Sequence, residues 1–347
     1  MSHNICRDPF HCISLRKNGD IYTCPPDYIK WKIGNIFENS IEEIWNGPAA
    51  QKIRRAVLAG KYKTCCNTHL CAPNYVIRKH LNSKEFQTVM PLPTYVTFHH
   101  DEECNHRCII CRHDFYQNSP ERLLLMNAKI EKYYLPLLKG AKVVALYGEG
   151  DPLASTHGRL LIKRIAQTYP DIFFTLYSNG SLMNEALLTE LGIINRLNEI
   201  KLSIHAATRE THEQIVRTQT FEAILDNLAF LSKLYEQGKV KTIILIFVVQ
   251  VLNYQEIPAF AQLAKKFHAQ VQFLPYLDHT GDRGLTYSPE SYQDMAVFLP
   301  QHPDYHDLGQ ILQDPILKEN HVILNPAIAS AQSDYVRYKS KSSHHQK

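Results

Sequence analysis

Apolar runs alternate with amphipathic stretches from about residue 92 onward, and this alternation limits the possible folds more than any other feature of the chain. Six runs predict strands, at 94–100, 142–147, 172–177, 199–205, 241–251 and 270–276. Apolar residues that recur three and four positions apart predict helices between the strands, at 120–138, 156–168, 184–191, 209–237 and 255–267. Strands alternating with helices predict an α/β fold with right-handed crossovers, either an open doubly wound sheet or a partial barrel.

Three cysteines follow the first predicted strand. Cys104, Cys108 and Cys111 stand in the run Cys-Asn-His-Arg-Cys-Ile-Ile-Cys. In parallel α/β folds ligands bind beyond the C-terminal ends of the strands, which is where this loop lies. Three thiolates on one loop can hold three irons of a [4Fe–4S] cluster and leave the fourth iron open to a chelating ligand. The same spacing can instead close a tetrahedral zinc site. Nearby histidines that offer the fourth ligand are His99, His100, His106 and His113.

The other six cysteines all lie in the first 75 residues. They are Cys6, Cys12, Cys24, Cys65, Cys66 and Cys71. Two clusters and an odd total of nine do not fit a disulfide framework, and in a cytosolic chain they indicate metal ligands. So small a region has little room for an apolar core, so we expect a metal centre to stabilise it.

Local signals in this N-terminal region predict a hairpin followed by short helices. Asn18-Gly19 lies between apolar runs, and this pair tolerates the positive φ angles of a tight turn. Ser40 can cap a short helix that carries Trp45, and Gly47 then interrupts it before a second helical pattern.

Composition predicts a cytoplasmic protein. The 347 residues with a net charge of +4 suffice for one large domain and a small one. No segment approaches the roughly 18 apolar residues of a membrane span, and the N-terminus lacks an apolar signal core. This net charge is too small to indicate a nucleic-acid-binding surface. The polar tail, 340–347, is predicted to be disordered.

Together these residues resemble the radical S-adenosylmethionine (radical SAM) enzymes, whose three-cysteine loop follows the first strand of a partial (β/α)6 barrel. The turn Gly148-Glu149-Gly150-Asp151 resembles the family's Gly-Gly-Glu-Pro turn, which binds the methionine amino group of S-adenosylmethionine. Glycines let the backbone approach a ligand, and a carboxylate can accept from an ammonium. Aligned on the proline that follows, Asp151 takes the place of the family's glutamate and Glu149 replaces its first glycine. Which carboxylate meets the amine therefore stays open.

Later motifs extend the resemblance along the chain. Ser178-Asn179-Gly180 matches the family's Thr-Asn-Gly. Ser203 begins a run similar to Ser-Ile-Asp-Ala, whose serine lies near the ribose and the carboxylate of the cofactor. Val248 occupies a position where apolar residues pack near the adenine, and Ile110 stands where the family usually has an aromatic residue that touches it.

The N-terminal region resembles the SPASM or twitch modules that carry an auxiliary cluster, usually appended after the barrel. The matching residues are Cys6, Gly19, Cys24, Gly34-Asn35-Ile36, Ile44-Trp45-Asn46, Cys66 and Cys71. The resemblance implies one closed [4Fe–4S] cluster on Cys6, Cys24, Cys66 and Cys71, with Cys12 and Cys65 left over. The expected organisation is an auxiliary module at 1–75, a linker at 76–91, the partial barrel at 92–300 and an extension at 301–347.

If the resemblance holds, the chain uses S-adenosylmethionine and two [4Fe–4S] clusters to form a 5′-deoxyadenosyl radical, which takes hydrogen from an unidentified peptide, small metabolite or sugar. The auxiliary cluster is expected to transfer electrons, and an external flavodoxin- or ferredoxin-type protein to donate them. Candidate catalytic residues lie at the end of the sixth predicted strand: Tyr276, Asp278 and His279. The alternative is a non-catalytic iron–sulfur or zinc protein with a structural or redox-sensing role.

Overall fold

The computed structural model describes residues 6–24, 29, 31–61, 86–111, 116–277 and 289–344. The chain forms two compact units. The first comprises Met1–Glu103, Gln117–Leu176 and Leu191–Arg196, and the second comprises Cys104–Tyr116, Tyr177–Glu190 and Leu197–Lys347.

The first unit combines the N-terminal hairpin with the first predicted barrel strands. Its strands are β1 (Cys12–Arg16), β2 (Asp20–Tyr22), β3 (Gly34–Asn35), β4 (Tyr95–His99), β5 (Val143–Leu146) and most of β6 (Phe173–Ser178). Its helices are α1 (Asp8–His11), α2 (Ile41–Trp45), α3 (Pro48–Leu58), α4 (Pro120–Lys129) and α5 (Thr156–Thr168). A π-helical turn, Ile130–Tyr134, continues α4 within the predicted helix 120–138.

Strand β1 of the hairpin pairs in parallel with β4, from Cys12 opposite Tyr95 to Arg16 opposite His99. On its other side β4 pairs in parallel with β5, and β5 with β6. The antiparallel pairs β1–β2 and β2–β3 complete the order β6-β5-β4-β1-β2-β3. The N-terminal hairpin is therefore part of the same sheet as the first barrel strands.

The hairpin turn differs in one detail from the expectation. Its loop has three residues, and Gly19 alone has a positive φ, +87°, whereas Asn18 does not. This is the geometry of a three-residue loop that ends in a glycine.

The predicted helix cap at Ser40 is confirmed. Ser40 Oγ accepts from Glu43 N–H while the Glu43 carboxylate accepts from Ser40 N–H, which is a capping box.

The second unit has four parallel strands in the order β7 (Leu197–Ser203), β8 (Val240–Val249), β9 (Gln270–Pro275) and β10 (Val322–Leu324). Its helices are α6 (Glu185–Glu190), α7 (Arg209–Val216), α8 (Phe221–Glu236), α9 (Ile257–Lys266), α10 (Pro289–Met295), α11 (Tyr305–Ile311) and α12 (Pro326–His344). The helix predicted at 209–237 is two helices, because Arg217 ends α7 in the left-handed conformation at φ +56°. Because α12 ends at His344, helix extends into the tail predicted to be disordered.

All six predicted barrel strands are present, with ends within two residues of the prediction. Their parallel pairing within each unit agrees with the predicted α/β class. Among the described residues, no helix is both long and apolar enough to cross a bilayer.

Candidate active site

The three predicted cluster cysteines lie on one loop of the second unit. Cys104, Cys108 and Cys111 are half-buried. Cys104 N–H donates to the Tyr116 carbonyl at 3.2 Å, and Cys111 N–H closes a turn on the Cys108 carbonyl at 3.1 Å. The loop thus has a defined backbone that does not depend on disulfides.

The middle of this cysteine loop is anchored to the end of α7. Arg107 N–H donates to the Val216 carbonyl at 3.3 Å, and Ile109 N–H donates to the Ile215 carbonyl at 2.9 Å. The last carbonyls of a helix have no acceptor role within it, so these bonds satisfy α7 and fix the loop at once.

Asn105 joins the cysteine loop to the turn that follows β6. Its Oδ1 accepts from Asn179 Nδ2 at 2.8 Å, and its Nδ2 donates to Ser181 Oγ at 3.0 Å. Within the turn, Ser178 Oγ accepts from the N–H of Gly180 at 3.1 Å, and Gly180 has φ +83°. The structure therefore brings together two motifs that are more than 70 residues apart in sequence.

His106 of the loop ends a chain of buried polar groups. Because a carbonyl oxygen only accepts, His212 Nδ1 must donate to the Ile204 carbonyl, at 2.9 Å. Burial lowers the pKa of His212, so its neutral Nε2 accepts from the Thr220 hydroxyl at 3.3 Å. Thr220 Oγ1 in turn accepts from His106 Nε2–H at 3.1 Å. Burial, aided by His212, lowers the pKa of His106 to about 4, so this imidazole is neutral as well.

In the first unit, the turn after β5 packs closely on the backbone that follows β4. Asp151 N–H donates to the Glu103 carbonyl at 2.8 Å. A Cβ on Gly150 would lie 2.3 Å from the Glu103 oxygen, and one on Gly148 would lie 3.1 Å from the Asp101 oxygen. Only glycine allows this approach at residue 150.

The two carboxylates of the turn have different environments. Asp151 is 4% exposed, and its Oδ1 accepts from Leu153 N–H at 2.9 Å and from Ala154 N–H at 3.1 Å. Glu149 Oε1 accepts from Arg16 Nη1 at 2.8 Å, with 21% and 22% of these side chains exposed. One carboxylate therefore shapes the turn, and the other is paired with a cation from β1.

A buried histidine pair lies beside this turn. His100 Nε2 is 2.8 Å from His157 Nε2, and His157 Nδ1 is 2.7 Å from Asn127 Oδ1. Because an amide oxygen only accepts, His157 is protonated at Nδ1, and its Nε2 accepts from His100 Nε2–H. Burial, together with the other imidazole, lowers the pKa of His100 to about 3, and burial lowers that of His157 to about 4. His100 borders a cavity of about 20 Å³, the size of a single water molecule.

Predicted cofactor contacts also lie at the ends of β7 and β8. Ser203 and Val248 are half-buried, as is Ile110 in the cysteine loop. His205 has φ +64°, and its Nδ1 accepts from Val248 N–H at 3.1 Å. Asn253 donates to the carbonyls of His205 and Val248, at 2.8 and 2.9 Å, and so holds the two strand ends together.

Sequence reasoning missed a polar group on the less buried face of β7. Glu199, Lys201 and Ser203 alternate with fully buried residues and so share this face. Lys201 Nζ donates to the Tyr177 hydroxyl and pairs with Glu199 at 3.3 Å. Burial, and then Glu199, raise the pKa of Tyr177. The strand pattern alone would have placed Lys201 two residues before Ser203 on the same face.

Of the predicted auxiliary ligands, the structure describes Cys6, which is buried, and Cys24, which is half-buried. Cys24 Sγ lies 3.5 Å from an Asp8 carboxylate oxygen. Cys12 is buried, and this burial, with Asp8 and Cys6 nearby, raises the pKa of its thiol. Outside the described residues lie Cys65, Cys66 and Cys71.

The Ile44-Trp45-Asn46 motif fixes the segment before β4. Trp45 Nε1 donates to the Pro91 carbonyl at 2.6 Å, and Asn46 Oδ1 accepts from Met90 N–H at 3.0 Å. Arg54, which is fully buried, stacks 4.1 Å above the Trp45 ring.

The predicted catalytic residues are only partly described. Tyr276 is 1% exposed and stacks on Tyr292 at 5.8 Å. Asp278 and His279 lie outside the described residues. Their catalytic role stays a prediction.

Comparison with known protein families bears directly on these motifs. Residues 100–264 match the model of the Radical SAM superfamily, and residues 6–72 match SPASM, an iron-sulfur cluster-binding domain. The chain therefore contains a radical SAM domain and a SPASM domain. The resemblance and the fold class predicted from the sequence are thereby confirmed, with the SPASM domain ahead of the radical SAM domain.

Two curated relatives each align with about half of this radical SAM protein. One is the S-adenosylmethionine-dependent nucleotide dehydratase RSAD2 of Siniperca chuatsi, 25% identical over 47% of this chain and 45% of the relative. The other is the GTP 3′,8-cyclase of Chlorobaculum tepidum, 29% identical over 53% of this chain and 55% of the relative. The chain thus spans about half the length of these relatives. A similar solved structure is SuiB of Streptococcus suis bound to S-adenosylmethionine, with 14% identity and a TM-score of 0.43 over 93% of this chain and 72% of that one.

The two domains imply S-adenosylmethionine and iron–sulfur clusters as cofactors. The residues present fit these groups. Three thiols on one anchored loop are the soft donors that iron–sulfur clusters require, and the Gly150 turn presents backbone without a side chain. Within the part of the chain that the structure describes, no three His, Cys, Asp or Glu side chains are grouped so as to hold one metal ion.

Proposed function

We propose that this radical SAM protein is an enzyme that holds a [4Fe–4S] cluster on Cys104, Cys108 and Cys111, with S-adenosylmethionine at the open iron. The observation that carries the proposal is the link made by Asn105. It fixes the cysteine loop to the Ser178-Asn179 turn, so two family motifs lie side by side. A scaffold protein has no need of this second motif.

In the proposed reaction, one electron from an external donor cleaves S-adenosylmethionine to methionine and a 5′-deoxyadenosyl radical, which takes a hydrogen atom from a substrate C–H bond. The protein's share is binding and orientation. Asp151 or Glu149 accepts from the cofactor amine, and Ser203 contacts the ribose or carboxylate. Ile110 and Val248 pack near the adenine.

The N-terminal module is proposed to carry a second [4Fe–4S] cluster on Cys6, Cys24, Cys66 and Cys71. Four cysteine ligands leave no iron open for substrate, so the proposed role is electron transfer. The proposed donor is an external protein of the flavodoxin or ferredoxin type.

Substrate candidates are a peptide and a small metabolite or sugar. Both curated relatives act on nucleotides according to their names, which favours a small metabolite. The polar face with Lys201, Glu199 and Tyr177, next to Ser203 on the same strand face, is where we propose that substrate is bound. Its ammonium, carboxylate and phenol suit a substrate with several hydrogen-bonding groups.

A non-catalytic zinc protein is the second candidate. It needs a histidine to complete the three cysteines, and two of the candidates each use one ring nitrogen in a hydrogen bond. His100 Nε2 is bonded to His157, and His106 Nε2 is bonded to Thr220. Each contact leaves the Nδ1 atom of its ring without a hydrogen-bond partner among the described residues, so metal analysis decides between the cluster and zinc.

Anaerobic reconstitution followed by metal analysis tests the proposal. We expect about eight irons per chain, two cubes' worth, and formation of 5′-deoxyadenosine with dithionite and S-adenosylmethionine. Cys104→Ala should lose about half of the iron and all cleavage, whereas the matched variant Cys12→Ala should keep both. Zinc in place of iron, or iron without cleavage of S-adenosylmethionine, would support the structural or redox-sensing alternative.

A further inference from the structure

An ion pair joins the N-terminal module to the turn that is proposed to bind the cofactor amine. Arg16 is the last residue of β1 and Glu149 is the second residue of the turn, 133 positions apart. Their charged atoms are 2.8 Å apart, and about four fifths of each side chain is shielded from solvent. Shielding of this kind strengthens a charge pair relative to one in open water.

The position of Arg16 is fixed by the sheet and not by a flexible side chain alone. All five residues of β1 are in register with β4, and Ser14 and Thr97 share a hydrogen bond of 2.6 Å, fully buried between these strands. Arg16 lies opposite His99 at the strand ends. The Arg16 side chain is therefore attached to a rigid backbone, which is separated from β5 by the single strand β4.

A second ion pair lies beside the first. Lys17 pairs with Glu102 at 2.9 Å, and Arg122 pairs with the other oxygen of the same carboxylate at 2.9 Å. Glu102 lies two residues before the first cysteine of the loop. Consecutive residues of the hairpin thus contact both the turn and the segment that follows β4.

The pair also accounts for a departure of the sequence from its family. The family has glycine where this chain has Glu149, so the turn contains one carboxylate more than the pattern requires. An uncompensated carboxylate there would repel the carboxylate of the cofactor's methionine. Arg16 neutralises it, and its bidentate-capable guanidinium gives the turn an orientation.

We infer that Arg16 is a positioning residue for S-adenosylmethionine: it holds Glu149 and thereby couples the N-terminal module to the cofactor turn. This inference rests on the proposed function of that turn. Because coupling between two sites is reciprocal, S-adenosylmethionine bound at the turn must also stabilise the hairpin that carries Arg16.

The test is the dissociation constant of S-adenosylmethionine for the reconstituted protein, measured by equilibrium dialysis without reductant. We expect Arg16→Gln to raise it about three- to fivefold, the range for a partly exposed ion pair, with iron content unchanged. Arg16→Lys should restore most of the affinity because it keeps the charge. The matched control is Lys139→Gln, which breaks another ion pair to the N-terminal region, with Glu42, away from the turn. It should leave the constant unchanged.

Hydrogen exchange supplies a readout that does not depend on affinity. S-adenosylmethionine should slow exchange in peptides covering residues 12–22 of the parent, and Arg16→Gln should abolish this protection. If Arg16→Gln loses iron, Arg16→Met removes the same charge while keeping the apolar stem of the side chain, with the same expected loss of protection.

The outcomes separate the two levels of the proposal. A parent that does not bind S-adenosylmethionine refutes the proposed function and with it this inference. A parent that binds, with an Arg16→Gln variant of equal affinity and equal protection, refutes the inference alone.

Discussion

The chain of hydrogen bonds between His106, Thr220 and His212 predicts that one conservative substitution will clearly lower the free energy of unfolding. Thr220→Val keeps the shape of the side chain but removes the hydroxyl that links His106 with His212. Both imidazoles are at most 2% exposed, so without this hydroxyl neither Nε2 atom can hydrogen-bond to bulk water instead. Thr220 precedes α8 but makes no side-chain cap bond, so the substitution does not disturb the helix start in another way.

The expected cost follows from the two buried groups left without a partner. Each contributes about 1–3 kcal/mol, and the added methyl group offsets about 0.8 kcal/mol. We therefore expect the free energy of unfolding to fall by about 1–5 kcal/mol, measured from urea unfolding of the anaerobic protein followed by circular dichroism. Thr220→Ser keeps the hydroxyl and should cost clearly less. Equal losses in the two variants, or a loss below about 0.5 kcal/mol for valine, would refute the hydrogen-bond chain as described.

Three further outcomes are expected. The pKa values of His100 and His205 are lowered to about 3 by burial, so the unfolded chain binds more protons than the folded one below about pH 6.5. The contribution of these two histidines to the free energy of unfolding should therefore be complete above that pH and should decrease as the pH falls toward about 3. Equal urea midpoints at about pH 7.5 and pH 5 would contradict this. Gly150→Ala should destabilise the protein by about 1–3 kcal/mol and more than Gly148→Ala, because its Cβ would lie 2.3 Å rather than 3.1 Å from a carbonyl oxygen; urea unfolding of both variants checks the order. Asn105→Ala should release cluster iron to a chelator faster than the parent does, because the loop loses both bonds to the neighbouring turn, and an unchanged release rate would count against that anchoring role.

The sequence predicted the strands well because each is an apolar run bounded by polar or turn residues, and burial on both sides leaves little freedom for its ends. It also placed the capping box at Ser40, which depends on residues only three apart. The break between α7 and α8 was missed because arginine rarely adopts the left-handed conformation, and nothing local marks Arg217 as doing so.

Motifs of the site were predictable, but their partners were not. Local patterns identified the cysteines and the glycine turn. The contacts that position them join distant segments, as Asn105 does with Ser181 and Arg16 with Glu149. Such pairs depend on which strands become neighbours, and a single sequence does not specify that β1 lies beside β4.

The pairing of β1 with β4 also determines how the barrel can be produced in the laboratory. A chain that starts after residue 91 would leave the whole length of β4 as an open edge, with the Thr97 hydroxyl deprived of Ser14. Open edges of this kind recruit strands from other molecules. In the intact chain the hairpin instead ends the sheet on β3, a strand of two residues, which is too short to template such pairing. The N-terminal module therefore protects the barrel against self-association, and a truncated barrel is expected to aggregate.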